Sequence, residues 1–441
     1  QEISSNNKRI AKNTLLLYFR MLVTMAVSLY TSRVVLNILG VEDFGIYNVV
    51  GGIVAMFGFI NGSMTSATQR YLTFELGQNN RAQLTKVFST SLSIHGIISF
   101  LIIVLAETVG LWFLWNKMQI PADRMNAAFW VFQCSVAASV IMIMSVPYNA
   151  AIIAHERMSA FAYISIIEVS LKLLIVCFLR YFHTDKLILY AALIVIVQFL
   201  IRLCYSWYCN RHFNETKYRW SWDKGLFKEM TGFASWNMFG SLAAITFTQG
   251  LNLLLNMFFG PVVNAARGIA VQAQTAIGQF SSNFQTALNP QITKSYATGD
   301  MEYMHGLIFR SAKFSFFLLL LLSLPVLIET KAILTLWLKI VPDHTVVFLR
   351  IMLCTTWVYA VSNPLITAAS ATGKIKLYQS VVGGLLLLIL PISYLCLRFG
   401  LPAYSVFIVH FVREITAQFA RLLMLKRMIK LSLREYFSKV V

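Results

Sequence analysis

The stretch Pro147-Tyr148-Asn149-Ala150-Ala151, running on through Ala154 to Arg157, returns as Pro364-Leu365-Ile366-Thr367-Ala368, running on through Ala371 to Lys374 at the same spacing. Gly40, Ala67 and Gly77 are matched in the same order by Gly260, Ala287 and Gly299, so the similarity is an internal duplication and not a single chance pair. Each copy carries about six apolar runs, and about 20 apolar residues suffice for a helix to cross a hydrocarbon core. Helices are expected near 13–38, 44–68, 86–115, 124–150, 158–181, 186–208, 230–257, 263–288, 308–328, 345–370, 377–397 and 402–424. Six crossings return a chain to its starting side, so the two copies share one orientation and are related by an axis along the membrane normal. The expected fold is an all-α integral membrane protein of about 12 transmembrane helices, in two six-helix lobes around a central cavity. Its expected parts are an N-terminal lobe 1–210, a cytoplasmic connector 211–229, a C-terminal lobe 230–424 and a basic cytoplasmic tail 425–441.

Composition leads to the same class. Of 441 residues 58% are apolar and 12% charged, with a mean hydropathy of +0.67, which no water-soluble surface tolerates. The formal charge of +19 is spread over many short loops instead of one basic-aromatic patch, which argues against nucleic acid as partner. With the N-terminus in the cytoplasm, loops on that side collect about 23 Lys and Arg against about 7 opposite, and the positive-inside rule then puts both termini inside. The basic clusters at 211–228 and in the tail sit where anionic headgroups lie. The six cysteines have no metal-ligand spacing and read as small buried hydrophobes, so no metal is expected. The polar opening from Gln1 to Lys12 lacks a short apolar region and a cleavage site, and reads as no signal peptide. The sequon-like Asn61-Gly62-Ser63 and Asn214-Glu215-Thr216 fall in a span and on the cytoplasmic side, where no glycan is added.

The chemistry is expected among the basic residues inside spans: Arg20, Arg33, Lys172, Arg202, Arg267, Arg350 and Arg413. A central Arg or Lys costs about 2.5–3.5 kcal/mol there, so each must face water, pair with an acid or snorkel to an interface. Arg20 heads a polar stripe with Thr24, Ser28 and Thr31 at helical spacing, which reads as cavity lining or as snorkelling inward. Arg33 is close to the outer end, where snorkelling outward competes with a cavity role. The eighth span shows the strongest polar face, Asn264, Arg267, Gln274, Ser281, Gln285 and Asn289, which either lines a lumen or bonds to neighbouring helices. Asn237, Ser241, Thr248 and Asn252 repeat the pattern on the seventh span, and Asn48, Asn61, Thr65 and Arg70 supply a first-lobe counterpart. The substrate-contacting set is therefore Arg20, Arg267, Arg70, Thr24, Gln274, Asn252 and Arg33. Glu168 and Lys172, one turn apart, form a structural pair or a relay, and Arg413 and Glu414 should point in different directions; these four are the candidates for ion coupling. His95 reads as a packing histidine, and Arg202 and Arg350 are expected to reach for headgroups. A cavity with mainly positive fixed charge selects an anion, and the planar guanidinium fork suits phosphate oxygens.

At Leu39-Gly40-Val41-Glu42-Asp43-Phe44-Gly45-Ile46-Tyr47, followed by Gln69-Arg70-Tyr71-Leu72 and Gly77, the chain resembles polysaccharide (O-antigen) flippases of the multidrug/oligosaccharidyl-lipid/polysaccharide exporter superfamily. Ala154-His155-Glu156-Arg157-Met158, and Asn289-Pro290 through Tyr296, Gly299 and Asp300, extend the resemblance over nearly the whole chain. It implies a two-lobed bundle in a bacterial inner membrane, flipping undecaprenyl-diphosphate-linked O-antigen or capsule units outward by alternating access. Basic residues of the first, second and eighth helices line the cavity in such proteins, which matches Arg20, Arg70 and Arg267 by position. Drug-exporting relatives carry an acidic residue in the first helix, and here none stands between Thr14 and Leu36.

The expected function is thus translocation of a polyprenyl-diphosphate-linked oligosaccharide, by a monomer with no cofactor, among membrane lipids and alongside a glycan polymerase. A multidrug or other lipid exporter of the same fold is the alternative. A membrane polymerase or glycosyltransferase fits less well, because the outer loops are short and poor in acids and no Walker, Rossmann or zinc-protease pattern occurs.

Overall fold

The computed structural model of the chain describes residues 2–55, 58–116, 118, 120–179, 181–182, 184–217, 223–338 and 341–440, with backbone alone at 2–7, 41, 49, 52–55 and 58–60. Among the described residues every regular element is a helix. These are α1 (Glu2–Ala55), α2 (Gly58–Gly77), α3 (Arg81–Leu105), α4 (Leu111–Asn116), α5 (Met125–Ala154), α6 (Met158–Leu179), α7 (Lys186–His212), α8 (Lys224–Phe259), α9 (Pro261–Thr298) and α10 (Met301–Ile328). They continue with α11 (Thr330–Leu338), α12 (Thr345–Ala371), α13 (Lys376–Leu387), α14 (Ile389–Arg398), α15 (Ser405–Met428) and α16 (Leu433–Val440). A π-helical turn, Ala106–Gly110, fuses α3 to α4.

Nine of the described helices are long and apolar enough to cross a membrane. The other three expected spans are helical in part or whole among the described residues: 44–55 falls at the end of α1 and 58–68 in α2, 263–288 lies within α9, and α15 covers 405–424 of the last. The last two carry many amides, hydroxyls and charges, including Arg267, Gln274 and Gln285 on α9 and Arg413, Glu414 and Arg421 on α15. Polar content of that kind lowers mean hydropathy while leaving the helix intact, because backbone bonds inside a membrane are made within the segment.

The chain divides into two compact units, Gln1–Ala234 and Ser235–Val441, with the division inside α8. In the first, α5 is central and packs on α7, α2, α3 and α1. Val131, Phe132 and Val136 of α5 meet Ala106, Leu114, Leu187 and Ala191, all buried. Gly110 of the π turn lets this happen: a Cβ there would stand 2.7 Å from Phe132 Cζ. In the second unit α12 is central, against α9, α10 and α15, and Phe348, Leu349 and Leu353 are fully buried beside Ala266, Ala270 and Phe407.

The duplication is visible in the backbone. Gly40 (φ 81, ψ 171) breaks α1, and Gly260 (φ 79, ψ −172) breaks the chain between α8 and α9 in the same conformation, one that side chains make costly. Pro147 and Pro364 both lie inside helices, and the turns beyond them carry a left-handed residue at equivalent places, Glu156 (φ 58) and Gly373 (φ 74). One pairing needs correction. Gly299 is left-handed (φ 78), whereas Gly77 is the last residue of α2 and the left-handed position beyond it is Asn79 (φ 57). Asparagine tolerates that region through local hydrogen bonding, so the equivalent of Gly299 is not a glycine.

Candidate functional site

In the first unit, Arg20 is half-buried on α1 with its guanidinium 4.5 Å from the centre of the Phe161 ring on α6. Thr24 is half-buried one turn on and donates to Met21 O at 3.0 Å, while Arg33 is exposed. Arg70 of α2 is buried among rings, 4.5 Å from Tyr71, 4.9 Å from Phe74 and 5.9 Å from Phe233. Tyr71 donates to Glu229 Oε1 at 3.1 Å. Cation–π contacts contribute about 0.5–2 kcal/mol each, so Arg70 is held by aromatic faces. Glu168 and Lys172 of α6 are joined at 2.6 Å, and Gln198 of α7 donates to the same Glu168 oxygen at 3.1 Å.

The second unit brings predicted residues together most closely. Arg267 of α9 is 6% exposed and donates to Asn252 Oδ1 and, at 3.3 Å, to Thr248 O, both on α8. Its bonds in this setting are to neutral groups. Gln274 turns the other way and donates to Thr356 Oγ1 (2.8 Å) and Met352 O (3.2 Å) on α12. Gln285 donates to Ser315 on α10, and Asn289 accepts from Thr367 on α12. The polar stripe of the eighth span therefore bonds neighbouring helices on both flanks, within one unit.

Gln274 also borders a cavity of about 620 Å³ inside this unit, with Arg413, Glu414, Arg421, His410 and Ser281 among its walls. Glu414, 3% exposed, binds two guanidinium groups, Arg413 through Oε2 and Arg421 through Oε1 at 2.7 Å. Arg421 further donates to Tyr378 Oη (3.2 Å) and Ser362 Oγ (2.9 Å), and Arg413 donates to Val382 O (2.9 Å).

Three expectations are corrected here. Arg413 and Glu414 do not diverge: consecutive residues leave a helix about 100° apart, but the long Arg413 side chain folds back onto its neighbour's carboxylate. Arg202 donates to Met144 O, one turn before Pro147, and lies 4.8 Å from the Tyr148 ring instead of reaching for headgroups. Arg350 likewise donates to Thr330 Oγ1 (3.1 Å) and to Ile328 O (3.4 Å), closing the C-terminus of α10. His95 is the packing histidine expected, fully buried with Nδ1 2.7 Å from Ser91 O. Arg421 was passed over in the sequence because it stands among the basic residues at the end of the last span. Its signal was the separation of two helical turns from Glu414, which puts both on one face.

Two helical units, with nine described helices long and apolar enough to cross a bilayer and a buried arginine in each unit, define a multi-pass membrane protein. The chain belongs to the polysaccharide biosynthesis protein family, which matches residues 10–296. Its fold is similar to that of a MATE transporter in the bent conformation (TM-score 0.85, 12% identity, 96% of each chain). It is also similar to a multidrug resistance MATE family transporter of the MOP superfamily in an outward-facing conformation (0.83, 12%, 96% of each). A third match is the Vibrio cholerae MATE transporter VcmN in the bent form (0.82, 17%, 97% of this chain and 98% of that one). At these identities the likeness is one of fold. A comparison with curated proteins matches none.

Proposed function

We propose that the chain carries an undecaprenyl-diphosphate-linked oligosaccharide, an O-antigen or capsule repeat unit, from the inner to the outer leaflet of a bacterial inner membrane by alternating access. The observation that carries this reading is Arg267: a buried guanidinium in a membrane-embedded lobe whose described bonds are to an amide and a carbonyl. A charge in that place costs about 2.5–3.5 kcal/mol, and an anionic passenger offsets the cost while it is bound. Arg20, Arg33 and Arg70 add positive charge in the first lobe, with Thr24, Gln274 and Asn252 as neutral contacts for the glycan. Membership of a polysaccharide biosynthesis family fits the cargo, and the first span's lack of an acid between Thr14 and Leu36 fits a carrier that does not select organic cations. Glu168 with Lys172, and Arg413 with Glu414, remain the pairs through which an ion gradient would act. A monomer working beside a glycan polymerase completes the reading.

Deletion followed by analysis of lipid-linked intermediates tests it. Single repeat units should accumulate facing the cytoplasm and surface glycan should disappear, with rescue by the wild type but not by Arg267→Gln at equal membrane abundance. Changed drug susceptibility with normal surface glycan would favour an exporter of another cargo.

A further inference from the structure

The second-unit cavity has a wall whose charges do not balance. Two guanidinium groups, Arg413 and Arg421, share the one carboxylate of Glu414, which leaves one positive charge in excess. Two donors on that lining are also unused: Arg413 Nε–H and the Ser281 hydroxyl are buried and have no hydrogen-bond partner among the described residues. The Arg413 and Ser281 side chains are nine-tenths or more buried, so water at the surface does not solve the problem. A buried donor without an acceptor keeps its desolvation cost uncompensated, and the cost is larger when the donor is charged.

We infer that this cavity takes a phosphate group on an organic carrier through Arg413 and Ser281, donors other than Arg267, although Thr248 and Gln274 on its wall join it to the Arg267 site. A cation is repelled by the excess charge, and a neutral hydroxyl satisfies the Nε–H but not the charge. An oxyanion does both, and the anions that surround a membrane-embedded lobe are lipid phosphates. Glu414 keeps the two guanidinium groups fixed, so the donor is oriented before a ligand enters. The volume, about 620 Å³, lies in the range of organic-ligand pockets and far above the need of a bare ion. Phe247, Leu319 and Leu386 supply apolar wall, and Gln279 and Asn363 supply amides next to it. Two sources offer this chemistry: the headgroup of an anionic phospholipid, or the diphosphate of a lipid-linked glycan.

The full chain carrying Arg267→Gln, purified into nanodiscs, removes the Arg267 contribution, so that a response reads the Arg413 and Ser281 donors; this reading stands or falls apart from transport by Arg267. Thermal stability is read in discs of phosphatidylethanolamine alone, in the same discs with inorganic diphosphate added, and in discs containing phosphatidylglycerol. Stabilisation by diphosphate assigns a carrier diphosphate as the source, and stabilisation by phosphatidylglycerol only assigns a headgroup. Adding Arg413→Gln, which leaves Glu414 and Arg421 as a neutral pair, should weaken the response about tenfold or more. Ser281→Ala breaks no internal hydrogen bond and should weaken it by a smaller factor, which decides the matter if the arginine variant misfolds. No stabilisation by either phosphate source, or a response unchanged in both variants, overturns the site.

Discussion

Gly40 and Gly260 hold a backbone conformation near φ 80 with ψ close to 180°, and nothing lies within 4 Å of where a Cβ would stand at either. The demand for glycine there is purely conformational, worth about 1–3 kcal/mol. Gly260→Ala is therefore expected to lower the unfolding temperature in detergent, whereas Gly268→Ala, in open space inside α9, should raise it, since alanine stabilises a helix interior by up to about 1 kcal/mol relative to glycine. Equal behaviour of the two variants would remove the conformational argument. At this scale the sequence was legible where chemistry leaves one option: the Gly40–Gly260 match reads straight through to matching backbone angles. It was not legible where two residue types serve one geometry, as with Asn79 standing where the second copy has Gly299. Nor does sequence depth give direction: Arg202 and Arg350 are where an interface was expected, but their side chains turn to helix carbonyls.

Elements are fastened to one another by polar clasps that hydropathy does not register. Arg124, immediately before α5, donates from Nε to Asp43 of α1 at 2.9 Å and from Nη1 to Asp185 at 2.7 Å, while Asp185 caps α7 by accepting from Leu187 and Ile188 N–H. Burial pushes the Asp185 carboxyl up, but the hydrogen bonds from Arg124 and from the α7 backbone outweigh it and hold the carboxyl below its usual range. A carboxyl depressed in the folded protein contributes stability that is present above its unfolded value, about pH 4, and is lost as pH falls through the lower native value. Wild-type unfolding temperature should thus drop on acidification below about pH 4, and Asp185→Asn, which keeps the cap but not the charge, should flatten that drop. Asp185→Ala should cost about 1 kcal/mol at neutral pH through the lost cap. Superimposable pH curves for the wild type and Asp185→Asn would show that the clasp carries no linkage. The helices were readable from apolar runs, nine of them long and apolar enough to cross a bilayer among the described residues, yet these fastenings were not, because they join residues far apart in the chain that periodicity within one helix cannot relate.

Across the whole molecule, the feature to be explained is charge asymmetry. The formal charge of +19 sits on a chain that is 58% apolar, and about 23 of its Lys and Arg fall on one set of alternate loops against about 7 on the other. An even number of crossings would bring both ends to one side, and under the proposed topology the positive-inside rule assigns that side to the cytoplasm. The last described element supports a fixed C-terminal end: α16 lies against α10, with Tyr436 buried, 6.0 Å from the Phe309 ring and accepting from Gln418 at 2.9 Å. A reporter placed after Val441 therefore extends from an anchored helix. A fluorescent-protein fusion there should glow and an alkaline phosphatase fusion should be inactive, since the first folds in the cytoplasm and the second needs an oxidising compartment for its disulfides. The same phosphatase inserted after Ala122, between α4 and α5, should be active. Active phosphatase both at the C-terminus and after Ala122 would mean an odd number of crossings. The two copies would then no longer share one orientation, and the proposed alternating access by two like lobes would fall with it.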